Sequence, residues 1–169
     1  LTPGDEVIVF SPYWVSYDAL VSLTEATPVI VKGTLENDFK VTAEQVEKAI
    51  TPKTRAIIFS SPCNPTGSVF SKGELEAIAK VVLKHENLLV IADEIYEHIN
   101  FEGGNTSIAS LPGMFERTIT INGFAKGFAM TGWRVGYLAA PKWIANGSIK
   151  VQGQLTSANC SISQRGALA

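Results

Sequence analysis

Short runs almost free of polar side chains constrain this chain more than any other feature. Glu6–Phe10 (EVIVF), Thr27–Val31 (TPVIV), Arg55–Ser60 (RAIIFS) and Leu88–Ala92 (LLVIA) are apolar and rich in β-branched residues. They predict strands buried on both faces, because a strand with one wet face alternates apolar with polar side chains. Thr118–Ile121 and Val135–Ala139 predict two more. Helical patterns separate them. Tyr13, Tyr17, Leu20 and Val21 recur at three- and four-residue spacings. Thr42-x-x-Gln45 and Ser71-x-x-Glu74 are capping boxes, one opening a short helix that ends before Pro52, the other a longer helix through Lys84. The alternation predicts an α/β fold of three layers, a mostly parallel sheet flanked by helices. The periodicity alone fits several such folds, part of a (β/α)₈ barrel among them.

Composition narrows the function. At 169 residues, 46% hydrophobic and 18% charged, the chain suffices for one core of ordinary domain size. A net charge of −2 without a basic stripe argues against nucleic acid as a partner. No apolar run approaches the roughly 20 residues that span a bilayer, and no signal peptide opens the chain, so a cytoplasmic setting is expected and no membrane contact. Cys63 and Cys160 lack metal-ligand spacing, so no metal is expected. No GxGxxG or P-loop pattern occurs. Leu1 in place of an initiator Met, and an end in SQRGALA without a C-cap, read as an internal piece of a longer protein.

Functional groups in parallel sheets gather beyond the carboxyl ends of strands. Three polar residues stand there: Asn64, Asp93 and Lys126. Lys126 is the only charged residue between Arg117 and Arg134, in GFAKGFAMTGWRVGY, a stretch with the composition of a buried loop. Desolvation favours an uncharged amine, the form that attacks a carbonyl, so a Schiff-base lysine competes with an ordinary surface lysine. Asp93, in ADEIY, suits a cation or a protonated ring nitrogen, and equally a helix N-cap. Tyr96 lies one turn beyond and offers a phenol to the same place. Asn64 sits in SSPCNPTG, where either X-Pro bond is a candidate for the cis form; it is a rigidly aimed amide or part of a simple turn. Arg134 suits bidentate phosphate recognition or an ion pair, and Trp14 suits stacking on a planar ligand or core packing. His85 and His98 receive no role.

Taken together, SPYWVSY, SPCNPTG, ADEIYEH and GFAKGFAMTGWRVGY resemble, in order and spacing, the fold-type I pyridoxal-phosphate enzymes. Within them the chain is similar to the class I aminotransferases of the bacterial aspartate aminotransferase type, over essentially its whole length. That resemblance implies that residues 1–169 form the central part of the cofactor-binding large domain, without its N-terminal segment and C-terminal small domain. It implies pyridoxal 5'-phosphate as cofactor, joined to Lys126 as a Schiff base, and Lys126 as the carrier of the substrate's Cα proton. Asp93 would pair with the ring nitrogen. Tyr96 and Asn64 would bind the ring's 3-oxygen, with Asn64 also near the substrate carboxylate. Trp14 would stack on the ring beside the substrate, and Arg134 would grip the phosphate.

The implied reaction is amino transfer between an amino acid, aspartate first, and a 2-oxo acid, 2-oxoglutarate first, in a homodimer. Prephenate or aromatic substrates, a β-elimination on the same cofactor, and a sensor domain of a transcription regulator are the alternatives. Ala125 departs from the serine that often precedes the family's lysine, which removes one phosphate donor. A fragment without the flanking segments is expected to turn over weakly or not at all.

Overall fold

The computed structural model describes residues 1–101 and 103–169. Six strands form one sheet: β1 (Glu6–Ser11), β2 (Thr27–Lys32), β3 (Thr54–Ser60), β4 (Leu89–Asp93), β5 (Thr118–Gly123) and β6 (Gly136–Ala139). Their spatial order is β2-β1-β3-β4-β5-β6. The first five are parallel and β6 runs antiparallel to β5. The helices are α1 (Ser16–Ser22), α2 (Ala43–Ala49), α3 (Lys72–Leu83), α4 (Lys142–Leu155) and α5 (Ser161–Leu168). All six predicted strands are present within one or two residues at each end, and the α/β reading holds.

Alternation along the strands splits the core into two layers. Val7 and Val9 of β1, with Ala56 and Ile58 of β3, pack against Tyr17 and Val21 of α1. Ile8 and Phe10, with Ile57 and Phe59, face the other way, onto Leu75, Ile78, Ala79 and Val82 of α3. That three- and four-residue spacing is the buried stripe of an amphipathic helix. Both predicted capping boxes form: the Thr42 hydroxyl accepts from Gln45 N–H at 3.3 Å, and Ser71 accepts from Glu74 N–H at 3.3 Å. The helical stretch predicted from Tyr13 begins later, at Ser16, because residues 12–15 form a bend and turn ahead of it.

The topology fixes where a ligand can sit. From β1 the chain moves outward to β2; from β3 it moves the opposite way, through β4 to β5. Neighbouring strands β1 and β3 therefore send their connections to opposite sides. Crevices of open α/β sheets lie at that reversal, outside the carboxyl ends. The loops after β1 and β3 carry Trp14 and Asn64. Asp93 ends β4 in register with Ser60 of β3 and Ile121 of β5. Among the described residues no helix is long and apolar enough to cross a membrane, and no group of acidic, His and Cys side chains is arranged to hold a metal. Cys63 and Cys160 are free thiols.

Candidate active site

A cleft of about 470 Å³ opens at this reversal, lined among others by Trp14, Asn64, Asp93, Tyr96, Lys126 and Arg134. All six residues singled out from the sequence thus meet in one place, although 120 positions separate Trp14 from Arg134 in the chain.

Asp93 lies at the base. One carboxylate oxygen, Oδ1, accepts from the Ile95 N–H at 3.2 Å, and the other, Oδ2, accepts from the Tyr17 hydroxyl at 2.6 Å. The alternative that Asp93 caps a helix is not realised. Residues 95–98 form turns, with Glu97 N–H bonded to Glu94 C=O at 2.9 Å, and no helix follows. The Asn64 amide donates to the Tyr96 hydroxyl at 3.5 Å, bringing two of the polar groups together on one wall. Both X-Pro bonds of the Asn64 loop, Ser61–Pro62 and Asn64–Pro65, are cis. Trp14 is 45% exposed and meets the buried Tyr17 ring edge-on, 5.8 Å between centroids and 89° between planes. Core packing is therefore not its role.

Lys126 holds its Nζ 5.6 Å from the centre of the Tyr96 ring, a cation–π contact. Among the described residues no carboxylate lies within ion-pair distance of Lys126 or Arg134. Two expectations are corrected here. The loop around Lys126 is not buried: residues 126–129 are exposed. Its phenylalanines meet only other partly exposed rings, Phe128 against His98 and Phe124, and Phe124 against Tyr137; β6 exposes all four of its residues and α4 buries none. Arg134 makes no ion pair; its guanidinium donates to the Thr131 carbonyl at 2.9 Å. It ends a 3₁₀ turn in the left-handed region, φ 52° and ψ 48°. That conformation is uncommon outside glycine and tends to collect at functional sites. Ala125 lines the cleft beside Lys126.

A second layer holds the two loops in place. Buried Asn122, near the end of β5, donates from Nδ2 to Glu97 Oε1 at 2.7 Å, and its Oδ1 accepts from Gly123 N–H at 2.7 Å. This links the strand leading to Lys126 with the turn that carries Tyr96. A Cβ on Gly123 would lie 2.8 Å from Gly136 Cα, so only glycine lets β5 and β6 approach there. Sequence reasoning missed Asn122, Glu97 and Tyr17. The signal for Tyr17 was in view, since a phenol on the apolar stripe of a helix must find a partner for its hydroxyl.

Comparison with known proteins gives a consistent picture. The family described as aminotransferase class I and II matches residues 1–169. The chain is 52% identical over 169 residues to a bifunctional aspartate aminotransferase and glutamate/aspartate-prephenate aminotransferase of Petunia hybrida, covering 99% of this chain and 35% of that protein. It is 46% identical over 170 residues to an aspartate/prephenate aminotransferase of Cereibacter sphaeroides, covering 99% of this chain and 42% of that protein. Among solved structures, an aromatic aminotransferase from Pyrococcus horikoshii superposes with a TM-score of 0.95 at 47% identity, over 99% of this chain and 45% of that one. The chain spans roughly a third to two fifths of the length of the curated relatives it matches.

Proposed function

The chain belongs to the class I and II aminotransferases, and from that premise we propose that it is part of an enzyme that transfers an amino group from an amino acid, aspartate first, to a 2-oxo acid, 2-oxoglutarate first, with pyridoxal 5'-phosphate. Residues 1–169 are read as the central part of the large, cofactor-binding domain, and the full protein as a cytoplasmic homodimer.

The single observation that carries the reading is the convergence on one cleft of an amine, a carboxylate held at both oxygens, a guanidinium and an aromatic wall. The donor set fits the cofactor group by group. A cleft of about 470 Å³ is of the size that encloses small organic ligands. Asp93 is the counter-charge for a pyridinium nitrogen, Arg134 for a phosphate, and Asn64 and Tyr96 are partners for a ring oxygen. Bound there, pyridoxal phosphate supplies an electron sink for the electrons of a substrate's Cα–H bond.

The chain's own residues do the rest. Asp93 keeps a proton on the ring nitrogen by offering it a negative charge. Lys126 Nζ would hold the cofactor covalently, and its amine would serve as the base that moves the substrate's Cα proton. Asn64 and Tyr96 would hold the ring oxygen, Trp14 would stack on the ring beside the substrate, and Arg134 would bind the phosphate. The exposure of Lys126 and of the β6–α4 face is consistent with cover supplied by parts of the protein outside residues 1–169.

The test uses the full-length protein. Purified with pyridoxal phosphate, it shows a visible absorption band that shifts on adding aspartate, and Lys126→Ala abolishes both the band and turnover. A band and turnover that survive Lys126→Ala refute the assignment. Relatives named for aromatic substrates at comparable identity favour a second reading, in which tyrosine, phenylalanine or prephenate is used in addition. Comparing kcat/KM for aspartate with that for phenylalanine separates the two.

A further inference from the structure

Tyr17 stands out because it touches two of the groups that define the cleft. It is 3% exposed, packed by its ring among Val7, Val9, Val21, Ala26, Ala56 and Ile58. Its hydroxyl emerges from that apolar layer to donate to Asp93 Oδ2 at 2.6 Å, across 76 positions of sequence. The edge-on contact with Trp14 is made by the same ring. Burial, followed by the nearby Asp93 charge, pushes the phenol's ionisation far above that of ordinary tyrosine, so the hydroxyl keeps its proton and acts as a donor.

A carboxylate at a strand end has two free torsions. The Ile95 N–H restrains one oxygen from within its own turn, which leaves rotation about that contact. A second donor from α1, a different element, removes it. We propose that Tyr17 is a positioning residue: it locks the Asp93 carboxylate and seats Trp14, so that the counter-charge and the stacking wall are preset before the cofactor arrives. This rests on the reading of Asp93 and Trp14 given above. A buried phenol that merely satisfied its hydroxyl would serve as well with a backbone carbonyl. Here its partner is the one carboxylate that lines the cleft among the described residues.

The experiment is Tyr17→Phe in the full-length protein, which keeps the ring and removes only the donor. Cofactor affinity is measured by titrating apoprotein with pyridoxal phosphate. The protonation of the ring nitrogen is read from the ¹⁵N resonance of labelled cofactor. Loss of a hydrogen bond to a charged group predicts roughly ten- to a hundredfold weaker binding. The ¹⁵N resonance should move toward the unprotonated position, while the thermal midpoint of the apoprotein changes little because Asp93 can still be solvated from the cleft.

In an Asp93→Asn background the same substitution should add almost nothing, since the partner is already altered. Unchanged affinity and ¹⁵N shift, or effects that simply add in the double variant, overturn the proposal. If Tyr17→Phe does not fold, 3-fluorotyrosine at position 17, a stronger donor of nearly the same shape, must move the ¹⁵N resonance the opposite way; no movement overturns the proposal. A wild-type protein that binds no pyridoxal phosphate refutes the cofactor reading itself, an outcome distinct from either.

Discussion

Strands β3 and β6 lie in one sheet yet live in different surroundings. Six of the seven residues of β3 are buried, and its neighbours β1 and β4 pack helices or loops on both faces. All four residues of β6 are exposed, and α4, which follows it, presents Trp143, Ile149, Val151 and Leu155 to the outside. The compositions of the two strands give little warning of this, since both are largely apolar. The difference is one of partners. The β1–β4 region contains the helices that bury it, whereas β6 and α4, which share an open cleft with α5, bury none of their residues. The cleft sits on the seam, with Asp93, Asn64 and Trp14 supplied by the self-sufficient side and Lys126 and Arg134 by the other.

The largest effect that sharpens this contrast comes from truncating matched aliphatic side chains on the two sides. Leu75 is 1% exposed, and Ile149 on α4 is 67% exposed. Leu75→Ala removes packing from the core and leaves a cavity, for a loss of about 2–5 kcal/mol. Ile149→Ala should stay within about 0.5 kcal/mol. Chemical denaturation of the chain measures both. Equal losses would break the comparison, by showing that α4 is buried in solution after all. Amide exchange gives a parallel reading, slow through β1 and β3 and fast in α4.

The same contrast explains what was legible in the sequence. EVIVF and RAIIFS announced buried strands because burial on both faces leaves a pattern that no neighbour can change. The capping boxes were equally plain, being local by nature. The Lys126 loop misled for the opposite reason. Its glycines and phenylalanines look like core, but burial depends on what is packed above, and local composition does not contain that. Tyr17 and Asn122 were hidden differently: each matters through a partner, 76 and 25 positions away, that only the assembled sheet reveals. The six candidate residues could be singled out because each stands at a strand end or loop, and the topology brings those to one cleft.

A smaller effect probes the seam itself. Asn122→Ala removes the bond to Glu97 and the cap on Gly123 N–H, leaving a buried donor without its partner. A cost of about 1–3 kcal/mol is expected. Its mark is regional: exchange of the 123–130 amides should quicken more than that of β1 or β3. Loosening spread evenly over the sheet would mean that the two sides are not mechanically distinct.

The smallest effect concerns Glu94, buried beside the cleft on the well-packed side. Burial pushes its carboxyl above the ordinary value of 4.5, with Glu97 and Asp93 adding in the same direction and a bond to Ser107 opposing. Below pH 4.5 the group is protonated in both folded and unfolded chains and costs nothing. From 4.5 upward to the raised folded value, the folded state holds more protons than the unfolded one, so stability falls as pH rises. Above that value the charged group carries its full desolvation cost. Glu94→Gln keeps the shape and removes the titration, so its stability curve should lose that falling segment and lie above wild type at neutral pH. Denaturation midpoints taken from pH 4 to 8 give the comparison. A variant curve parallel to wild type would place Glu94 in water, and would move the boundary of the well-packed half inward to Asp93.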